Sequence, residues 1–284
     1  MKISNESVNF NYGLDREVYM LKDLDLSQIN KLKTKEIKDL ADRITKEEYL
    51  DFIEVFSADE RKSVQVICDK LKKVLIRLQA EEERLDLLNY YENECYKNGA
   101  VFVAGLDEVG RGPLAGPVVA AVVVLKPNAR ILGINDSKKL SEEKRESLYD
   151  TIINEAIDYG IGMADNNEID EHNILNATYI AMKRALEKLE VDVDCLLNDA
   201  VRIPGVDIPQ LPIIKGDAKS ISIAAASIVA KVTRDRMMVD YDKEYPGYGF
   251  ASNKGYGTRD HYQGLEKFGR TKIHRNSFLK NLQG

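Results

Sequence analysis

Between Gly13 and Gly99 the chain contains neither a glycine nor a proline, and all seven of its prolines come after residue 112. A stretch of that length without the two strongest chain-breaking residues reads as helical. The apolar spacing agrees. Ile37, Leu40 and Ile44 form one stripe; Val64, Ile67, Leu71, Leu75 and Leu78 form another that continues to Leu85 and Leu88. Ser57-Ala58-Asp59-Glu60 predicts a break and a new helix start, with side-chain oxygens available for capping. Glu81-Glu82-Glu83 reads as a solvated helix face rather than a functional acidic patch. The first two dozen residues carry no period and are expected to be poorly ordered.

From Ala100 onward the pattern changes to alternating strands and helices. Val101–Leu106 reads as a strand, and Val118–Leu125 is a β-branched run bounded by Pro117 and Pro127, hence a second strand. Ser141 is expected to cap a helix running to about Ile157, and Tyr159–Ala164 to form a third strand. Further along, the spacing predicts a helix over His172–Leu189 and strands over Val193–Asn198 and Leu211–Ile214. A long helix from Ile221 to Asp240 carries Ala224-Ala225-Ala226, small enough for close packing on a sheet. The expected class is therefore α/β, a mixed sheet flanked by helices. A helical N-terminal extension over residues 1–98 precedes this domain at 99–284.

Composition narrows the function classes. No run of about 18 apolar residues occurs, so no membrane span is expected. The N-terminus has no apolar signal-peptide core, and Cys68, Cys95 and Cys195 show no zinc-like spacing. These features lead to the expectation of thiols in a reducing compartment and a cytoplasmic location. A formal net charge of -6 does not advertise a nucleic-acid binder. The segment from Ala251 to Gly284 is nevertheless basic, with seven Lys/Arg against Asp260 and Glu266.

The chemistry concentrates in Asp107-Glu108-Val109-Gly110-Arg111-Gly112-Pro113-Leu114-Ala115-Gly116-Pro117. Adjacent carboxylates are costly unless a positive charge sits between them, and a hard divalent cation is the natural partner. In a regular strand the two acids would point to opposite faces, so one shared site requires the chain to leave the pleat after Asp107. Asp199 ends another expected strand and Asp217 precedes a helix, and strand ends on one sheet edge are where ligand sites form. Taken singly, Asp199 reads as a turn former and Asp217 as an N-cap. Together with Gly110-Arg111-Gly112, a metal site becomes the better reading. Candidate phosphate contacts are Lys138 within Asp136-Ser137-Lys138-Lys139, then Lys215, Ser220 with Ser222, and Lys231 to Arg234. Tyr256, flanked by glycines in a basic segment, can offer its ring to a sugar or base, or pack under a loop. His172, His261 and His274 lack metal-ligand spacing and read as surface or structural groups.

These residues carry a resemblance. The run from Asp107 to Pro117 resembles the signature of ribonuclease HII, and the similarity continues in order through six further segments. They are Asn135–Leu140, Ile169–Leu175, Leu197–Ala200, Lys215–Asp235, Lys254–Thr258 and Arg275–Phe278, together spanning about residues 100 to 280. The resemblance implies a ribonuclease H-like fold with a small helical C-terminal region. It implies endonucleolytic cleavage of RNA in RNA/DNA hybrids and incision 5′ of ribonucleotides embedded in duplex DNA, as in ribonucleotide excision repair. Asp107, Glu108, Asp199 and Asp217 become the catalytic acids holding Mn²⁺ or Mg²⁺, two ions during catalysis. Gly110, Arg111 and Gly112 become the reader of the ribose 2′-OH, Tyr256 the ring that stacks on the junction sugar, and Lys138 and Lys231 further substrate contacts. Ala200 departs from the glycine that family members often have there. The sister family, ribonuclease HIII, typically lacks the loop arginine and carries a β-sheet N-terminal domain, so Arg111 and a helical extension favour HII. Such an extension resembles that of HII proteins from Gram-positive bacteria; a substrate-binding arm and a protein-interaction module both fit it. A monomer is expected. The rival is a non-catalytic nucleic-acid-binding protein on the same fold, against which the four intact acids argue.

Overall fold

The computed structural model describes residues 31–280, divided between two compact units, residues 1–80 and 81–284. The expectation of disorder in the first two dozen residues lies outside the described residues. In the smaller unit, α1 (Thr34–Ala41), α2 (Tyr49–Phe56) and the first part of α3 (Lys62–Leu88) enclose Ile37, Ile44, Phe52, Phe56, Val64 and Leu71. The break before α3 is held by Asp59, whose Oδ1 accepts from the Arg61 backbone N–H at 2.9 Å.

The larger unit is built on a five-stranded sheet of order β3-β2-β1-β4-β5. Its strands are β1 (Val103–Val109), β2 (Val118–Val124), β3 (Asp158–Ala164), β4 (Cys195–Asp199) and β5 (Gln210–Ile213). β1 pairs antiparallel with β2 and parallel with β4, so the sheet is mixed. β2 is buried along its whole length because both faces are covered, and its sequence is accordingly apolar throughout. On one face Val118, Ala120, Val122 and Val124 meet α6 (Asn166–Leu186). On the other, Ala121 and Val123 meet α5 (Glu142–Glu155) and α7 (Ile221–Glu244). Gly105 of β1 lets α7 lie directly on the sheet: a Cβ there would fall 2.1 Å from the Ser222 carbonyl carbon. The short α8 (Phe250–Asn253) and α9 (Arg259–Phe268) form the helical C-terminal region.

Three expectations change. α6 begins at Asn166, capped by the Asp165 side chain, and not at His172. Asn173 interrupts it with φ +64° and recaps the remainder by accepting from the Leu175 and Asn176 N–H groups, which is why the helical period reads only from there. Glu81 and Glu82 are not simply solvated: Glu81 accepts from the Gly133 N–H at 2.7 Å and pairs with Arg84, and Glu82 lies 3.7 Å from Arg130. Finally, the structure joins Cys95 on α4 (Tyr90–Lys97) and Cys195 on β4 as a sulfur pair, leaving Cys68 as a buried thiol. Packing divides the chain at Ala80, ahead of the glycine boundary. Leu85 and Leu88 join the α5–α7 cluster, while Tyr91 and Tyr96 pack near Val103 and Leu197.

Ala200 sits at φ +55°, a left-handed conformation that favours glycine. Strain there of about 1–2 kcal/mol is partly offset by alanine's lower unfolded-state entropy, about 0.4–1 kcal/mol. Ala200→Gly should therefore raise the melting temperature by about 1–4 °C. Calorimetry showing a lower value would contradict this account of the turn.

Candidate active site

The β1–β4 ladder ends at Leu106 opposite Asn198, whereas β1 stays paired with β2 as far as Val109 opposite Val119. Asp107 and Glu108 thus occupy the part of β1 that outruns β4, and Asp199, the last residue of β4, stands beside them. This corrects the expectation that the chain leaves the pleat after Asp107. The strand continues, and the two carboxyls still act on one another because they lie off the end of β4, where a site need not sit on one face of the sheet. Asp107 turns toward α7 and bonds the Ser227 hydroxyl. The Ser227 hydroxyl also lies 2.9 Å from Ser137 Oγ, in the turn that carries Lys138. Asp217 lies in the turn Gly216–Ala218, and Asp199 Oδ1 accepts from the Gly216 N–H at 2.8 Å. Asp217 is not the helix cap. Ser220 caps α7, and Asp217 is left buried beside the other acids.

The electrostatics follow from this crowding. Burial, then Glu108 and Asp199, push the Asp107 carboxyl well above its usual range. Burial raises Glu108 as well, opposed by Arg111, whose Nη1 is 3.4 Å from Glu108 Oε1. Asp217 is raised by burial and by Asp136 and Asp199. Lys138 stands among them, with Nζ 4.0 Å from Asp217 Oδ2. Burial works against its charge, but Asp107, Asp217, Asp136 and Asp199 hold its ammonium above the ordinary value. Among the described residues no three carboxylate, imidazole or thiol groups are gathered into a ready-made ligand set. The donor chemistry nevertheless fits a hard divalent cation: four mutually repelling carboxylates, three of them resisting ionisation, in want of positive charge.

The loop after Glu108 is fixed from beneath by two buried arginines: Arg234, which the sequence offered as a phosphate contact but which is buried on main-chain carbonyls, and Arg275, for which the sequence offered no such role. Arg275 donates to the carbonyls of Gly110 (2.6 Å), Arg111 (3.0 Å) and Gly116 (2.8 and 2.9 Å). Arg234 donates to those of Pro117 (2.9 Å), Ala115 (3.1 Å) and Lys254 (2.8 Å). Gly110 has φ +92°, and a Cβ there would lie 2.3 Å from Arg234 Nε, so only glycine fits. In a trans peptide C=O and N–H point opposite ways, so holding the Gly110 and Arg111 carbonyls inward turns the Arg111 and Gly112 N–H groups outward. Burial pushes the Arg275 guanidinium down to about 9, with Arg234 adding to the effect, and both remain charged at neutral pH.

Tyr256 is 45% exposed, which excludes the reading of a ring packed under a loop. Its Cε1 would be 3.5 Å from a Cβ on Gly112, so ring and loop stand side by side. A chain of hydrogen bonds positions it. The Thr271 N–H donates to His274 Nδ1 (2.8 Å), so His274 carries its proton on Nε2 and donates to His261 Nε2 (3.0 Å). His261 Nδ1–H then donates to the Tyr256 carbonyl at 2.9 Å. Burial lowers the pKa of both rings, that of His274 to about 4, so this neutral arrangement persists at pH 7. His172 is exposed.

Two expected phosphate contacts are used differently. Ser220 and Ser222 turn inward to Glu92 of α4: Glu92 Oε1 accepts from Ser220 Oγ (2.5 Å), the Ser222 N–H (3.0 Å) and the Ser222 hydroxyl. Lys231, one turn beyond Ser227, gives its ammonium to Asp235 at 2.7 Å. Glu92 and its serines are separated by more than a hundred residues, and nothing local in the sequence announces the contact.

Because the folded state raises the Asp107 pKa, the ionised carboxylate opposes folding. Stability is lost as pH climbs from the ordinary aspartate range through the raised value. In EDTA, Asp107→Asn should melt above the wild type at neutral pH, by about 2–4 °C for each kcal/mol relieved. The gap should close at acid pH. A variant melting at or below the wild type at pH 8 would refute the repulsion.

Comparison with known proteins completes the picture. A family model described as Ribonuclease HII matches residues 104–281, and one described as Ribonuclease HII N-terminal domain matches residues 33–96. Over 248 residues the chain is 58% identical to the ribonuclease HII of Clostridioides difficile, covering 87% of this chain and 97% of that one. It is 50% identical over 247 residues to the Bacillus licheniformis protein, covering 87% and 96%. Among solved structures it is similar to ribonuclease H2 from Pyrococcus horikoshii OT3, at 28% identity and a TM-score of 0.56, covering 64% of this chain and 97% of the other. Matches of this extent over both the helical N-terminal part and the sheet place the chain in one family: it is a ribonuclease H enzyme and belongs to the ribonuclease HII family.

Proposed function

We propose that the chain is an endonuclease that cleaves RNA in RNA/DNA hybrids and incises duplex DNA 5′ of embedded ribonucleotides, leaving 3′-hydroxyl and 5′-phosphate ends. One arrangement supports this most: acids from β1, β4 and the turn before α7 stand together beside the Gly110–Gly112 loop and the exposed ring of Tyr256. Catalysis is assigned to residues 99–284, acting as a cytoplasmic monomer, and residues 1–98 are assigned as the extension.

Asp107, Glu108, Asp199 and Asp217 would hold Mg²⁺ or Mn²⁺. Two such ions, when bound, supply a water of lowered pKa and neutralise charge on the departing 3′-oxygen. The remaining work falls to the chain itself. Lys138 offers its ammonium to a non-bridging phosphate oxygen. Outward-facing N–H groups of the Gly110–Gly112 loop meet the ribose 2′-OH, the group that distinguishes RNA from DNA. Arg111, half-exposed beside Glu108, is free to swing to a phosphate or sugar. Tyr256 stacks on the junction sugar and excludes water from it. Lys231, held by Asp235, contributes a fixed positive charge rather than a mobile contact.

The test is nicking of a duplex that carries one ribonucleotide, in Mg²⁺ or Mn²⁺. Asp107→Asn should lower turnover by about three orders of magnitude or more while binding the duplex nearly as the wild type does. Tyr256→Ala should lose incision at the single ribonucleotide. Near wild-type turnover by Asp107→Asn would sink the metal-site assignment, and unchanged incision by Tyr256→Ala would remove the ring from the junction.

A further inference from the structure

Beside the acid cluster, and wholly within the larger unit, lies an open cleft of about 370 Å³. One wall comes from the end of α3 and the start of α4, with Arg84, Tyr90 and Tyr91; the other carries Asn135, Lys139 and Lys219. The second wall is continuous with the site described above. Lys139 adjoins Lys138, and Lys219 follows Asp217 by two residues.

We propose that this cleft captures the nucleic-acid strand adjoining the cleaved phosphate, with Lys139 and Lys219 on its backbone and Tyr90 against a sugar or base. The inference rests on the proposed nucleic-acid substrate and extends it to a contact surface outside the catalytic acids.

The chemistry matches that occupant. Lys139 and Lys219 are exposed, and no carboxylate holds either of them in an ion pair among the described residues. Arg84, by contrast, is held by Glu81 through two 2.7 Å bonds, so the charge on offer comes from the lysines. Tyr90 is 56% exposed and packs edge-on against Tyr91 at 5.2 Å, which leaves its outer face to solvent. An aromatic face with cations beside it is the combination that binds a single strand: rings take bases or sugars, and lysines replace counterions on the phosphates. An acidic peptide would satisfy the lysines but leave the ring without purpose. A strand bound at Lys138 and Asp217, moreover, passes beside Lys139 and Lys219 as it leaves the site. The cleft thereby gives the stretch from Glu81 to Lys97 a role beyond packing, since it supplies the aromatic wall.

The experiment measures equilibrium binding of a labelled duplex by the full-length chain carrying Asp107→Asn, so that strand capture is scored whether or not the chain cleaves. In that background Tyr90→Ala should weaken binding of a long ribonucleotide-containing duplex by about fivefold or more. Lys219→Ala should lower the salt slope by about one unit, and Lys219→Glu should weaken binding further. A duplex trimmed to the few pairs around the ribonucleotide should not feel any of these changes. Long-duplex affinity and salt slope equal to the parent in folded Tyr90→Ala and Lys219→Glu proteins would overturn the proposal. So would equal losses on the trimmed duplex, or a cleft that binds poly-glutamate more tightly than the duplex. Failure of the wild type to nick, with these binding changes intact, would instead count against the proposed activity alone.

Discussion

The structure is organised around a repulsion. Asp107, Glu108, Asp199 and Asp217 are crowded at the end of a sheet, three of them with carboxyl groups that burial and neighbouring acids push upward. Such an arrangement lowers the stability of the metal-free chain, and the fold supplies it deliberately through register. β1 outruns β4 by the residues that carry two of the acids, β4 ends on the third, and the Asp199–Gly216 bond draws in the turn bearing the fourth. Ser227 on α7 then joins Asp107 to the Ser137 turn, so the lysine that tempers the cluster is tied to the same helix. Relief of that like-charge repulsion is the binding energy a divalent cation would gain in the proposed site.

A second constraint runs beneath the neighbouring loop. All the hydrogen bonds made by the buried guanidiniums of Arg234 and Arg275 go to main-chain carbonyls, most of them in the loop from Gly110 to Pro117. Through Arg275, which follows His274 in the chain, the loop is linked to the imidazole pair that anchors Tyr256. Loop and ring are therefore tied to one hydrogen-bonded frame. The proposed reading of one ribose hydroxyl would depend on such a fixed geometry, because a displacement of about 1 Å is enough to misplace a reacting group.

Much of this was legible in the sequence wherever the determinant was local. The apolar run of β2, the Ser141 cap and the alanines of α7 could each be read from their neighbours, whereas Asp199 and Asp217, read singly as a turn former and an N-cap, became site candidates only together with Asp107, Glu108 and the Gly110–Gly112 loop. What escaped reading depended on partners far along the chain. Arg234 reads as a phosphate contact, and Arg275 as one more cation of a basic tail, until carbonyls more than a hundred residues away close over them. Glu92 looks solvated until Ser220 and Ser222 reach it. The start of α6 was hidden by a single left-handed asparagine, Asn173, which breaks the period without ending the helix. Alternation puts Asp107 and Glu108 on opposite faces of β1, but alternation within one strand says nothing of where its neighbour ends.

The central claim is that these four acids form one divalent-metal site. Titration of the full-length chain with Mn²⁺, followed by calorimetry, tests it without reference to cleavage. Asp107→Asn, Glu108→Gln, Asp199→Asn and Asp217→Asn should each weaken Mn²⁺ binding, by about tenfold or more for the acids that ligate directly. If Asp199→Asn and Asp217→Asn bound Mn²⁺ as tightly as the wild type, the four acids would not be a single site.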